Sequence, residues 1–123
     1  MINGKASLKS LKTPKKSMDN ILNTLEKILE KRKSSTEDKS YVSSLYSKGV
    51  NSILEKVSEE SEEVIQAVKE EGRDEVIHEV ADLWFHLMVL LRHEEISIEE
   101  IELELARRFG VSGHDEKALR KKK

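Results

Sequence analysis

The sequence predicts an all-α fold, in which four to five helices form an antiparallel bundle. Charged and apolar residues each make up 37% of the 123-residue chain, and aromatic residues reach only 4%, with one proline and five glycines. This composition, rich in Glu, Lys, Leu and Ile, is typical of long helices and not of a β-sandwich or barrel. Apolar residues also recur every three or four positions over most of the chain, which is the spacing of one helix face.

The first predicted helix begins near Met18, where apolar residues start to recur at helical spacing. It ends in the polar string 31–40, whose serines and threonine signal a loop. A short helix over residues 41–46 follows, and we expect Gly49 to close it.

A long helix follows, with an apolar stripe that runs from Val50 to Val68. Gly72 is predicted to end this helix in a left-handed conformation, because glycine adopts that conformation without steric cost. Another helix is predicted from about Asp74 to His93. The connection between the two helices is short, so they should pack as antiparallel neighbours.

The last predicted helix begins with Ser97, because Glu100 three residues later completes the signal of a capping box. Gly110 is predicted to close it. The predicted helical domain therefore covers residues 18–110.

Basic segments flank this domain at both ends. Residues 1–17 contain five lysines and no acidic residue, and we interpret them as a flexible basic arm. Residues 111–123 form a basic tail. No aromatic residues interleave the lysines of the arm, so binding to nucleic acid is not predicted.

The composition excludes several other kinds of protein. The chain has no cysteine, which excludes disulfides and thiolate metal sites. No apolar run approaches the ~18 residues that span a bilayer, and the first residues lack the apolar core of a secretory signal. We therefore expect a soluble cytoplasmic protein with no membrane partner.

The helix of residues 74–93 carries acidic residues where core residues are expected. Only Asp82 and His86 interrupt its segment VADLWFHLMVLL, and a helix that is apolar almost all round is buried on most sides. At about 100° per residue, Glu75, Glu79, Asp82 and His86 share a strip about 60° wide. An ionised carboxylate in such surroundings is costly unless it is paired or coordinates a cation.

The preceding helix carries a second carboxylate pair, Glu60 and Glu63, at the edge of its apolar stripe. In a hairpin that turns at Gly72, this pair can face Glu79 and Asp82, which lie at a comparable distance from the turn. Four converging carboxylates predict a site for a hard divalent cation, magnesium or manganese before zinc. Four other glutamates are predicted to be solvated: Glu59, Glu62, Glu70 and Glu71.

The spacing Glu60-x-x-Glu63, fifteen residues, Glu79-x-x-Asp82 resembles the ExxE…ExxD motif of the all-α nucleoside triphosphate pyrophosphatases of the MazG type. Longer segments resemble the phosphoribosyl-ATP pyrophosphatase family within that superfamily: SYVSSLYSKGVNSILEKVSEESEEV, HEVADLWFHLMVLL and SGHDEKALR. The sequence departs from the family pattern at Ser58, where a glycine is usual, and in residues 1–17, which precede the usual start.

The resemblance implies a MazG-like fold, a homodimer, and hydrolysis of phosphoribosyl-ATP to phosphoribosyl-AMP and pyrophosphate, the second step of histidine biosynthesis. It implies magnesium ligation by Glu60, Glu63, Glu79 and Asp82, with Glu59 as a further candidate. Glu60 or Glu63 is also the candidate catalytic residue that orients the attacking water.

Basic residues must hold the substrate phosphates, and the available candidates are Lys48, Arg107, Arg108, Lys117 and Arg120. His86 is interpreted as an interior histidine with satisfied hydrogen bonds, although a role next to the metal stays open. Trp84 and Phe85 are predicted to be core or dimer contacts. His78 is predicted to point away from the strip of Glu79 and Asp82.

Other functions stay open on the sequence alone. A house-cleaning pyrophosphatase for other nucleotides would share the metal motif. A non-catalytic helical interaction module would share the bundle, but it has no reason to bury four carboxylates. A ferritin-like di-iron bundle is not expected, because it needs two ExxH strings, and Glu75-Val76-Ile77-His78 is the only one in the sequence.

Overall fold

The computed structural model describes residues 21–34 and 40–110, which form five helices and no strand. In chain order these are α1 (Ile21–Ser34), α2 (Tyr41–Lys48), α3 (Val50–Glu70), α4 (Arg73–His93) and α5 (Ile98–Phe109). The predicted all-α fold is thus confirmed. The predicted basic arm, the basic tail and any part of the first helix before residue 21 lie outside the described residues.

The α3–α4 hairpin is the centre of the architecture, because these two helices share the most extensive contact among the described elements. Only Glu71 and Gly72 separate them, so they pack as antiparallel neighbours. Helix α1 packs against α4, α2 contacts both α1 and α3, and α5 contacts α1. None of the described helices is both long enough and apolar enough to cross a membrane.

The hydrophobic core lies where α1 and α2 cover one side of the hairpin. Leu29, Ile53 and Phe85 are its largest apolar side chains with essentially no exposure, and each contributes about 1.5–3 kcal/mol through burial. The remaining buried members come from α1, α2, α4 and α5: Leu25, Val42, Leu45, Met88, Val89 and Ile98. This core fixes the hairpin from one side and so fixes the register in which α3 faces α4.

Helix ends follow their predicted capping residues with one exception. The Ser97 side chain accepts a hydrogen bond from the Glu100 amide, and the Glu100 carboxylate accepts one from Ser97, so the predicted capping box is present. Gly110 closes α5 with a φ of 72°. Gly49 closes α2 with a φ of 100° and leads directly into α3.

The exception is Gly72, for which the prediction of a left-handed conformation is wrong. Its φ of −111° and ψ of −179° are extended, and it is the N-cap residue of α4. Glu71 before it is also extended, with φ −120° and ψ −162°. Two successive extended residues reverse the chain here, so no positive φ is needed between α3 and α4.

The two glycines give a matched pair of stability predictions. At Gly49 a φ of 100° with a ψ of 178° belongs to a region that is essentially restricted to glycine, so Gly49→Ala is expected to cost about 1–3 kcal/mol. At Gly72 the backbone suits any residue, and an added Cβ meets nothing within 4 Å. Gly72→Ala is therefore expected to be neutral or to stabilise by about 0.4–1 kcal/mol. Urea unfolding of both variants measures the difference, and equal effects would contradict it.

Candidate metal centre and active site

Acidic residues of α3 and α4 converge on the inner side of the hairpin. Glu60 of α3 is fully buried, and Glu79 and Asp82 of α4 are only 7% and 1% exposed. Carboxylate oxygens of Glu60, Glu63 and Glu79 lie within 4.8 Å of one another. A second group on the same scale joins His78, Glu79 and Asp82. Glu79 belongs to both groups, so the two form one continuous centre.

The hydrogen bonding of this centre is incomplete within the part of the chain that the structure describes. Both carboxylate oxygens of Glu60 and the Oε1 atom of Glu79 are buried with no hydrogen-bond partner there. Burying an ionised carboxylate costs several kcal/mol unless it is paired or coordinates a metal. Because the donors are mainly carboxylate oxygens, the chemistry of the set fits a hard divalent cation.

The pKa values of these carboxyl groups reflect their burial and the negative charges around them. Burial raises the pKa of Glu60 to about 7, and the negative charges of Asp82 and Glu63 raise it further. Burial also raises the pKa of Glu79 to about 7, together with the charge of Glu63 and a hydrogen bond to it. Without a cation, a fraction of these groups is protonated at neutral pH. A metal that needs the ionised forms must therefore displace protons when it binds.

His86 lies next to this centre but belongs to neither of its two metal-capable groups. Its side chain is fully buried, its Nδ1 lies 2.9 Å from the Asp82 carbonyl oxygen, and its Nε2 lies 2.7 Å from the Tyr41 hydroxyl. A carbonyl only accepts, so Nδ1 carries the proton and Nε2 accepts from Tyr41. Burial lowers the pKa of His86 to about 4. His86 is thus a neutral interior histidine that ties α2 to the backbone of α4 at Asp82.

His78 does not point away from the acidic strip, and that expectation is wrong. Its Nε2 lies 3.4 Å from the Oδ2 atom of Asp82, one helical turn further along α4. Four residues advance an α-helix by about 400°, which leaves the two positions only about 40° apart. The side chain of His78 is long enough to reach Asp82 across this offset.

Lys56 is a functional candidate that the sequence analysis missed. It lies on α3 one turn before Glu60, its side chain is only 16% exposed, and its Nζ lies 3.0 Å from Glu59 Oε1. Burial raises the pKa of Glu60 and of Tyr41, and the positive charge of Lys56 offsets part of both rises. The available signal was its spacing of three and four residues before Glu59 and Glu60. Glu59 itself is exposed and belongs to neither metal-capable group.

Three of the five predicted phosphate-binding residues, Lys48, Arg107 and Arg108, lie within the described part of the chain. Lys48 is exposed at the end of α2. Arg107 and Arg108 both bind Glu104 on α5, and these contacts lower the pKa of Glu104 to about 2. Within residues 21–34 and 40–110, no ion pair joins these three cations to the carboxylates of the centre. Lys117 and Arg120 lie outside the described residues.

Comparison with known proteins supports the family that the sequence motifs indicate. Residues 22–109 match the family model described as phosphoribosyl-ATP pyrophosphohydrolase. A protein named phosphoribosyl-ATP pyrophosphatase from Vesicomyosocius okutanii subsp. Calyptogena okutanii (strain HA) is 61% identical over 103 residues, which cover 84% of this chain and 98% of that protein. Proteins of the same name from Ruthia magnifica subsp. Calyptogena magnifica and Hydrogenovibrio crunogenus are 57% and 48% identical, and the matches cover 84% and 85% of this chain and 98% and 96% of those proteins. The chain therefore belongs to the phosphoribosyl-ATP pyrophosphohydrolase family.

Proposed function

We propose that this protein hydrolyses phosphoribosyl-ATP to phosphoribosyl-AMP and pyrophosphate, as the second step of histidine biosynthesis. The reaction cleaves the linkage between the α- and β-phosphates. The observation that carries the proposal is the set of buried oxygens of Glu60 and Glu79 that lack hydrogen-bond partners among the described residues. Membership of the family supports the choice of substrate.

The metal in this proposal is magnesium, with manganese as a substitute, and the residues that would hold it are Glu60, Glu63, Glu79 and Asp82. When bound, a divalent cation neutralises charge on the phosphate oxygens and lowers the pKa of a water. The oxygen-rich donor set supports this choice, because magnesium and manganese prefer carboxylate ligands. Glu59 is a weaker candidate, since its carboxylate pairs with Lys56 instead.

In this proposal a carboxylate of α3 accepts the proton of the attacking water. Glu63 is half-buried whereas Glu60 is fully enclosed, so a water from solvent reaches Glu63 more easily. We assign to Glu63 the orientation of the attacking water and the acceptance of its proton, with Glu60 as the second candidate. Reactions of this kind depend mainly on positioning and charge neutralisation, so the protein needs little further chemistry.

The phosphates of the substrate need cationic contacts as well. Lys56 is the best-placed of the described lysines and arginines, because it lies beside Glu59 and one turn from Glu60. Five further cations stay candidates for contacts to the substrate phosphates: Lys48, Arg107, Arg108, Lys117 and Arg120. A contact by Arg107 or Arg108 would have to replace the bonds that both now make with Glu104.

The direct test offers the purified full chain phosphoribosyl-ATP beside a panel of nucleoside triphosphates, with and without magnesium. We expect pyrophosphate release from phosphoribosyl-ATP alone, and only when the metal is present. Faster turnover of another nucleoside triphosphate would instead support a house-cleaning enzyme. Absence of turnover on every substrate would favour a non-catalytic interaction module.

We also propose that two copies of the chain form a homodimer through the outer side of α4. Phe85 faces the core, but Ile77, Trp84 and Leu87 are 56%, 56% and 37% exposed. At about 100° per residue these three form one apolar strip on the side of α4 opposite to Asp82. The strip continues into an apolar groove of about 170 Å³ lined by Leu22, Trp84, Leu87, Met88, Leu91, Ile98 and Ile101. A second copy would remove this surface from water.

Trp84→Glu tests this dimer. We expect light scattering to give twice the mass of one chain for the wild type and the mass of one chain for the variant, because a charge on the strip opposes its burial. Asn51→Glu adds the same charge at an exposed polar position of α3 and should leave the mass doubled. A Trp84→Glu protein that stays dimeric would exclude this face as the interface.

A further inference from the structure

His78 is placed to take part in the metal centre, although no part of the acidic motif includes it. Its Nε2 lies 3.4 Å from Asp82 Oδ2, and its side chain is 28% exposed. Ligand atoms of His78, Glu79 and Asp82 all lie within 4.8 Å of one another. Two ligands of one ion at about 2.1 Å each are separated by about 3 Å when they are adjacent. The observed separation is close to that value.

A second, independent observation marks this end of the centre as a place for a ligand. Glu79 is only 7% exposed, yet its Oε1 atom has no hydrogen-bond partner among the described residues. Glu79 is also the residue that this group shares with Glu60 and Glu63. An unsatisfied buried oxygen between two clusters of donors is the environment that a cation relieves.

We propose that the imidazole of His78 is a nitrogen ligand of the cation held by Glu79 and Asp82, and that it shifts the preference of the site towards manganese and later first-row ions relative to magnesium. This inference rests on the proposed metal-dependent function and adds a ligand to it. Imidazole suits transition ions, whereas magnesium favours oxygen ligands. The nitrogen therefore strengthens the binding of one class of ion more than that of the other.

The test uses manganese alone as the probe, bound to the full chain. Pulsed electron paramagnetic resonance of bound manganese detects a directly ligated imidazole nitrogen. We expect this nitrogen signal in the wild type and its loss in His78→Gln. The Kd for manganese should rise about tenfold or more in that variant, while the Kd for magnesium changes less than about threefold.

His93→Gln is the matched control. Like His78, His93 contacts a carboxylate, with its Nδ1 2.9 Å from Glu94 Oε2, but it lies at the far end of α4. That variant should keep both the nitrogen signal and the manganese affinity of the wild type. Wild-type protein that binds manganese without a nitrogen signal, or His78→Gln that retains the signal, would overturn the inference about His78.

Failure of the broader function gives a different result. If the wild type binds no manganese and releases no pyrophosphate, the metal-dependent function fails, and the inference about His78 fails with it. If manganese binds and pyrophosphate is released but no nitrogen is detected, only the ligand role of His78 is lost. The two readouts therefore separate the two claims.

Discussion

Replacing Glu79 by glutamine is expected to reduce pyrophosphate release from phosphoribosyl-ATP by at least about 100-fold. Glu79 belongs to both metal-capable groups, so its loss removes an oxygen ligand from each. Loss of residues that only support a metal ligand already costs 10–100-fold in affinity or activity in known metal sites, so removal of a ligand is expected to cost more. Glutamine keeps the size of the side chain and removes the charge, and steady-state release of pyrophosphate at saturating magnesium measures the effect.

Glu75→Gln is the control for this prediction, because Glu75 lies one turn before Glu79 on α4 but is exposed. It should retain activity within about twofold, as expected for a surface substitution outside the site. Asp82→Asn should resemble Glu79→Gln, with loss of activity and a retained helical fold. Near-normal turnover by both Glu79→Gln and Asp82→Asn would remove these carboxylates from the catalytic centre.

The fold could be predicted from the sequence because local signals and burial agree along most of the chain. The capping box at Ser97 and the end of α5 at Gly110 both lie where the sequence places them. Gly72 was mispredicted because a glycine at a helix end has two uses. A left-handed cap and an extended N-cap both suit glycine, and only the packing of α3 on α4 decides between them.

The acidic core of the site was also predictable, for a reason of free energy. Carboxylates such as Asp82 are rare within an apolar helix unless something compensates their charge. The converging positions of Glu60 and Glu79 then followed from the hairpin alone. Periodicity alone gave less reason to separate Glu60 and Glu63 from the solvated glutamates around them, and in the structure Glu63 is only half-buried.

The surrounding residues could not be predicted in the same way. His78 contacts Asp82 and Lys56 contacts Glu59 through the length and rotamer of their side chains, which helical angles do not specify. The contacts of Arg107 and Arg108 with Glu104 depend on neighbouring surface side chains. For Arg107 and Arg108 the sequence indicated contacts with anionic groups but did not indicate which groups.

Without metal, Glu60→Gln is expected to become more stable relative to the wild type as the pH rises from about 4.5 to 7. The pKa of Glu60 is raised from 4.5 to about 7 in the folded protein, first by burial and then by Asp82 and Glu63. The folded state therefore binds more protons than the unfolded state in this window, and ionisation of Glu60 destabilises the wild type as the pH rises. A shift of this size corresponds to about 3 kcal/mol.

The comparison with the variant is needed because other groups titrate in the same window. Burial lowers the pKa of His86 to about 4, so His86 makes the folded state more stable as the pH rises towards its unfolded value of about 6.5. Both proteins share His86 and Glu79, so subtracting their free energies of unfolding leaves the contribution of Glu60 together with its coupling to Asp82 and Glu63. Urea unfolding in the presence of a chelator should give a difference that grows with pH and levels off above about 7.

Saturating magnesium should act in the opposite direction on the wild type. In the proposed function the cation would bind the ionised carboxylates of the folded state, and at 100 times its Kd it would stabilise the protein by about 2.7 kcal/mol. This stabilisation should increase as the pH rises through 7, because the pKa values of Glu60 and Glu79 lie near that pH.

In the metal-free comparison, a difference between wild type and Glu60→Gln that is flat from pH 4.5 to 7 would show that Glu60 is not held in a buried, charge-crowded site. The burial that makes this carboxylate costly in the metal-free protein would thus also link the proposed magnesium binding to stability.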